Sequence, residues 1–324
     1  MKRWVRWLWA HRWLAALLSV CLAMLLLNAL AFMHAWAMTH FVSSGSRTVR
    51  PESLTFPQKL GVLLTGIRVP KPANVAPTSQ PFAIETHRFP GGSGELEAWF
   101  VPCEQARGLF LLFHGYASCK SELLGEAAAL RELGYHTLLV DFRGSGGSSG
   151  YETTVGMLEA DDVARAYEYA QERWPGVPLF VFGQSMGATA VLRAMALRRL
   201  DPTAIILECP FDRLLSTVAN RFHTMKLPAI PLAQLLVFWG GVQQGFNGFR
   251  HNPVDYARSV TVPTLMMHGA CDTRVTLAQG REVADNLAGV HDFVVFEGLG
   301  HESFIASDRE HWMRVVEEFL NRVR

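Results

Sequence analysis

The chain has 324 residues, of which 49% are hydrophobic and only 18% charged, below the roughly 25% expected of a soluble domain. Four of its 30 basic residues and none of its 29 acidic ones fall within the first 40 positions, so the remainder carries a formal charge of −3. That balance, with no Lys/Arg-rich stretch, argues against a surface for phosphate backbones, and nucleic acid is not an expected partner.

Leu14 to Ala37 contains no formally charged side chain other than a titratable His34. As a helix these 24 residues reach about 36 Å, enough to cross a hydrocarbon layer of about 30 Å. Trp4, Trp7, Trp9 and Trp13 alternate with Lys2, Arg3, Arg6 and Arg12 ahead of the run, the pattern of indoles at headgroup level with positive charge on the cytoplasmic side. Only Arg47 and Arg50 follow closely, which favours an inside N-terminus and a body outside. Ala35-Trp36-Ala37 also fits a signal-peptide cleavage site, although the apolar run is longer than a usual h-region. Val20 before Cys21 is a poor lipobox residue. Residues 1–13 are thus expected to form a cytoplasmic basic, Trp-rich segment and 14–37 a transmembrane signal-anchor. The Pro-rich stretch 38–81 reads as a tether or an irregular wrap rather than core.

Residues 82–324 read as the folded body. Segments 82–89 and 95–101 flank Gly91-Gly92-Ser93-Gly94 as a hairpin. Apolar runs at 108–113, 137–140, 179–182, 204–207, 264–267 and 293–296 lack alternation, as strands buried on both faces do. Val163, Ala166, Tyr167 and Ala170, and later Trp312, Val315, Val316, Phe319 and Leu320, have helical spacing. The alternation predicts an α/β fold with a doubly wound, mostly parallel sheet. About 50 residues, 211–260, separate two strands that a short crossover could join, and are read as a cap insertion. The five cysteines show no C-x-x-C spacing, and neither a disulfide nor a metal site is expected.

Gly183-Gln184-Ser185-Met186-Gly187 follows one strand and opens a helix, the setting of a nucleophile elbow. Ser185 is the expected nucleophile. A hydroxyl needs a base, and the base needs a carboxylate to fix its tautomer. His301, in Gly298-Leu299-Gly300-His301-Glu302 after the last strand, is the expected base. Asp272, shortly after the strand 264–267, is the orienting acid, with Asp212 as runner-up. Asp141 is read as a brace of a tight turn and Glu302 as a surface or helix-capping carboxylate. The order Ser, Asp, His is that of α/β-hydrolases. Oxyanion donors are expected from the backbone N–H groups of Met186 and Tyr116.

With these parts in place, residues 82–324 resemble a serine α/β-hydrolase of the serine-aminopeptidase-like or monoglyceride-lipase-like group, and the whole resembles its membrane-anchored branch. The stretches HGYASCKSE, DFRGSGGSSG, GQSMG, HGACDTRV and GLGHESF carry the similarity. The resemblance implies an eight-stranded sheet, no cofactor, and ester, thioester or amide hydrolysis through an acyl-enzyme. Phe238, Trp239, Phe246 and Phe249 in the charge-free stretch Leu227 to Phe249 of the insertion, with Phe222 just ahead of it, are candidates to line an acyl pocket or to pack the insertion onto the core; as a pocket they would, with the anchor, point to hydrophobic esters. A peptidase, a protein thioesterase and a non-catalytic tethered binding protein are the alternatives.

Overall fold

Apolar runs without alternation leave no face for water, and in the folded chain they become the central strands of one sheet. The computed structural model describes residues 9, 11–49, 54–75 and 82–323; most of the basic Trp-rich segment, including Lys2, Arg3, Trp4, Arg6 and Trp7, lies outside them, as does Arg50. In chain order the elements are α1 (Arg12–Thr39), α2 (Phe56–Thr65), β1 (Glu85–Pro90), β2 (Glu95–Val101), β3 (Leu109–Phe113), α3 (Leu124–Glu132), β4 (His136–Val140), α4 (Glu159–Arg173) and β5 (Leu179–Gln184). They continue with α5 (Met186–Arg198), β6 (Ala204–Glu208), α6 (Leu214–Thr224), α7 (Leu232–Gln244), α8 (Pro253–Ala257), β7 (Thr264–Gly269), α9 (Leu277–Asp285), β8 (His291–Phe296), α10 (Phe304–Ser307) and α11 (Arg309–Arg322).

The eight strands form one sheet in the order β1-β2-β4-β3-β5-β6-β7-β8. The hairpin β1–β2 pairs antiparallel and β2 meets β4 antiparallel; from β4 to β8 every pairing is parallel. Parallel strands require crossovers, and the crossover helices cover both faces. On one side α4, α5, α8 and α9 press Val163, Ala166, Val191, Val254 and Val283 onto Leu111, Leu138 and Val181. On the other, α3 and α11 press Leu130, Trp312, Val316 and Phe319 onto Phe110, Phe182 and Phe296. Each such large apolar side chain contributes about 1.5–3 kcal/mol on burial. α11 shows why the local sequence gives this element. Trp312, Val316, Phe319 and Leu320 form its buried stripe, and Asp308 at its N-cap accepts from His311 N at 3.1 Å.

Two departures from the sequence reading matter for the site. The stretch expected as a tether holds the ten-residue α2, opened by a capping box between Thr55 and Gln58 with Pro57 in the first turn, where a missing N–H costs nothing. Beyond α1 the backbone docks on the body: Thr153 N donates to Thr39 O at 2.9 Å, and Phe41 N to Tyr151 O at 2.6 Å. Second, α1 is itself two things. Residues 12–26 are exposed, whereas Ala31, Ala35 and Thr39 are buried where the helix runs along α7 of the insertion. Trp239 Nε1 donates to Asn28 Oδ1 at 3.2 Å, Gln243 Nε2 donates to Phe32 O at 2.8 Å, and the Phe32 and Trp239 rings meet edge to face.

Candidate active site

Strand β5 ends in a turn that only glycine permits at two positions. A Cβ on Gly183 would lie 2.7 Å from the Ala188 backbone, and one on Gly187 would lie 2.3 Å from the Phe113 carbonyl oxygen. Between them Ser185 adopts φ 52°, ψ −111°, a left-handed conformation that costs a non-glycine residue about 1–3 kcal/mol. Its backbone is held by Ser185 N donating to Glu208 O at 2.7 Å on β6 and Thr189 N donating to Ser185 O at 3.1 Å. The strain presents Oγ at the carboxyl edge of the sheet, at the head of α5.

The expected acid and base arrive from neighbouring strands. β7 and β8 end side by side, and their loops touch backbone to backbone: a Cβ on Gly269 would lie 2.4 Å from Gly300 O, and Cys271 N donates to Leu299 O at 2.8 Å. This approach brings Asp272 and His301, 29 residues apart in sequence, within 2.6 Å through Oδ2 and Nδ1. His301 Nε2 lies 2.9 Å from Ser185 Oγ. The carboxylate fixes the tautomer, so Nδ1–H donates to Asp272 and Nε2 is left to accept from the serine hydroxyl. Asp272 Oδ1 accepts from Arg274 N at 2.8 Å and Val275 N at 2.9 Å. Burial acts to raise its carboxyl, but the bond to and charge of His301, with the two amides, outweigh it and hold the group below the ordinary carboxylate range.

The third wall is the loop after β3. His114 is buried and kept neutral, since burial outweighs the nearby Asp141 charge and lowers its pKa. Its Nδ1–H donates to Gly115 O at 2.8 Å and its Nε2 accepts from Phe142 N at 3.1 Å. A Cβ on Gly115 would sit 3.6 Å from Ser185 Cβ, so this backbone runs directly past the serine. Tyr116 follows. Its hydroxyl donates to Met38 O, in the last turn of α1, at 2.6 Å, and burial pushes the phenol up to about 12. Met186 begins α5, and the first N–H groups of a helix have no partner within it.

Other residues singled out in the sequence stand elsewhere. Asp212 accepts from Arg213 Nη1 at 2.9 Å and from Ser216 Oγ at 2.5 Å, not from His301. Asp141 accepts from Gly147 N at 2.8 Å, as a turn brace does, and it also receives the buried Lys120 ammonium. Exposed Glu302 meets Gly300 N at 3.4 Å. Of the insertion's aromatics, Trp239 packs on α1 and Phe238 on Trp239, Phe238 and Phe249 are exposed, and Phe246 packs with Phe211, Leu214, Val237 and Val275. Cys209, His268 and Asp272 lie close enough to suggest a cation site. Their chemistry does not fit one: both Asp272 oxygens are engaged, and burial raises the Cys209 thiol well above its ordinary value.

Sequence reasoning missed a pair of acids under the site. Glu208 on β6 accepts from Trp312 Nε1 at 2.7 Å and from Gln184 Nε2 at 3.2 Å, and Gln184 precedes the serine. Glu126 on α3 accepts from Ser303 Oγ at 3.4 Å, two residues beyond His301. Burial, with the Glu208 charge adding to it, pushes Glu126 up to about 8, and burial pushes Glu208 up to about 7. The two are 82 positions apart, and no local pattern signals such a pair.

Residues 104–243 match the family profile described as serine aminopeptidase, S33. An uncharacterized protein of Mycobacterium tuberculosis (strain H37Rv) is 27% identical over 255 residues, covering 78% of this chain and 83% of that one. A lysophosphatidylserine lipase, ABHD12 of Danio rerio, is 28% identical over 159 residues, covering 48% of this chain and 40% of the relative. Among solved structures, an esterase of Pyrococcus furiosus superposes with a TM-score of 0.64 at 24% identity, over 78% of this chain and 97% of the other. At that identity the likeness speaks for the fold alone.

Proposed function

Because the chain belongs to the α/β-hydrolase superfamily, we propose that Ser185, His301 and Asp272 are the catalytic triad of a membrane-anchored serine esterase acting on lipid or other hydrophobic esters. The observation that carries this reading is the relay from Ser185 Oγ through His301 to Asp272, at 2.9 and 2.6 Å. Ser185 Oγ attacks the ester carbonyl while His301 Nε2 takes its proton, and Asp272 stabilises the imidazolium that results. The N–H groups of Met186 and Tyr116 receive the developing oxyanion, each worth about 3 kcal/mol by the measure of donor removal elsewhere. His301 returns the proton to the leaving alkoxide, which departs and leaves an acyl-Ser185. Water then enters, activated by the same imidazole, and releases the acid.

The substrate class rests on the apolar α1 and on relatives that include lysophosphatidylserine lipases. α1 spans the bilayer with the N-terminus inside and the body outside, by the excess of cations ahead of it. A fluorophosphonate probe is expected to label the wild-type chain and not Ser185→Ala; equal labelling of both removes Ser185 as nucleophile. Across a panel of esters and aminoacyl amides, turnover should rise with acyl length. A preference for the amides supports instead the peptidase named by the matching family profile.

A further inference from the structure

Among the described residues, the exposed part of α1 is by itself too short to cross a bilayer. Residues 12–26 of α1 are exposed, and 15 helical residues reach about 22 Å, against a hydrocarbon layer of about 30 Å. Counting 30 Å from Arg12, the first described cation before the apolar run, brings the hydrocarbon boundary to about Phe32; tilting the helix would take in still more. Asn28 then lies about 24 Å above Arg12, inside the layer. Its partner there is Trp239 of α7, and Gln243 of α7 meets Phe32 O. Asn28 Nδ2 donates to Met24 O within α1 at 2.9 Å, but its Oδ1 at that depth calls for a donor from another helix, and the insertion supplies it. So α7 reaches membrane depth together with the upper part of α1.

The surfaces beside this contact suit the same surroundings. On α7, Phe238 and Val242, one helical turn apart, are 46% and 55% exposed, and Ile230 just before the helix is 75% exposed. α2, tied to the anchor by His34 Nε2 donating to Leu63 O at 2.9 Å, turns Phe56, Leu60, Leu63 and Leu64 outward, with Phe56 80% exposed. Those four positions form one apolar stripe at i, i+4, i+7 and i+8. α7 carries no charged residue and α2 only Lys59, whose long stem can bring its ammonium to the headgroups. Exposed apolar surface of this kind on each helix marks an interaction site, and a helix with one apolar face lies in the lipid–water interface.

We propose that α7 and α2 are seated in the outer interface of the bilayer that α1 spans, so that the insertion is a membrane-bound part of the enzyme. This rests on the anchor reading above but not on the hydrolytic one. Single spin labels at Leu18→Cys, Val242→Cys, Leu64→Cys and Val290→Cys test it in the full chain carrying Cys21→Ser, Cys103→Ser and Cys271→Ser, reconstituted in phosphatidylcholine vesicles. All four sites are exposed; Val290 lies at the amino edge of the sheet, opposite the catalytic loops. The ratio of collisions with oxygen to collisions with a water-soluble nickel chelate is expected to be severalfold higher at Leu18, Val242 and Leu64 than at Val290. A high ratio at Leu18 with Val242 and Leu64 no higher than Val290 overturns the seating while leaving the anchor. A low ratio at Leu18 as well overturns both. Fluorophosphonate labelling of Ser185 in the same samples reads the hydrolase assignment separately.

Discussion

Replacing Asp272 with asparagine changes one atom and should nearly silence the enzyme. In the wild type, Oδ1 accepts two backbone amides, from Arg274 and Val275, and Oδ2 accepts from His301 Nδ1–H. An asparagine has one acceptor oxygen, and the two amides compete for it against the imidazole. If the oxygen stays with the amides, the side-chain NH2 faces Nδ1, which must give up its proton and accept; the proton moves to Nε2, where it opposes the Ser185 hydroxyl. The flipped rotamer places an NH2 against two N–H donors, a worse arrangement. The first is therefore expected, and with it a base in the wrong tautomer. In a serine protease the equivalent exchange lowers kcat about 10⁴-fold, or about 5.4 kcal/mol of transition-state stabilisation. The same order is expected for Asp272→Asn in hydrolysis of a chromogenic ester, with a matching loss in the rate of fluorophosphonate labelling. Because the two amide bonds survive, unfolding temperature should shift by only a few degrees. Activity within tenfold of wild type in a folded variant would refute the tautomer role assigned to Asp272.

Two other perturbations probe the frame. Lys120 is fully buried against Asp141 and Glu97, and Lys120→Met leaves buried Asp141 without its ammonium while Glu97 keeps Arg88 at 2.8 Å; removing one partner of a buried pair costs about 3–5 kcal/mol. The double variant with Asp141→Asn should recover part of that loss in thermal unfolding, and a strictly additive loss would show that the two groups are not coupled. Glu126 ionises near 4.5 when exposed and at about 8 in the fold, so between those values the native state keeps a proton that the unfolded chain has released. Its contribution to stability is complete below pH 4.5 and is lost as pH rises towards 8, and Glu208 acts with the same sign up to about 7. Denaturant unfolding from pH 5 to 8 should show stability falling, with a shallower fall in Glu126→Gln; an identical slope in both chains contradicts the assignment.

What could be read from the sequence was whatever is written locally. Gly183 and Gly187 announce the elbow because their spacing meets a steric requirement of one turn, and the unalternating runs announce buried strands because no face of theirs meets water. Asp141 was legible as a turn brace from its neighbours. The burial of Lys120 was not, since a lysine enters a core only when distant carboxylates come to meet it. Helix α2 was hidden by prolines read as breakers, although Pro57 occupies the one turn that tolerates it. Trp239 and Phe238 read equally well as pocket lining or packing. Their place beside Asn28 and Phe32 depends on a contact between segments 211 residues apart, which no local periodicity encodes.

The hydrogen bond from Tyr116 to the carbonyl of Met38 gives proteolysis a meaning beyond release. A cut after Ala37 would leave that carbonyl on the new amino-terminal residue, with no helix behind it to hold it against the loop that skirts Ser185. It would also strip α7 of the neighbour that covers Trp239. The shed body would then lose the anchor's hold on that loop and carry a bared aromatic flank.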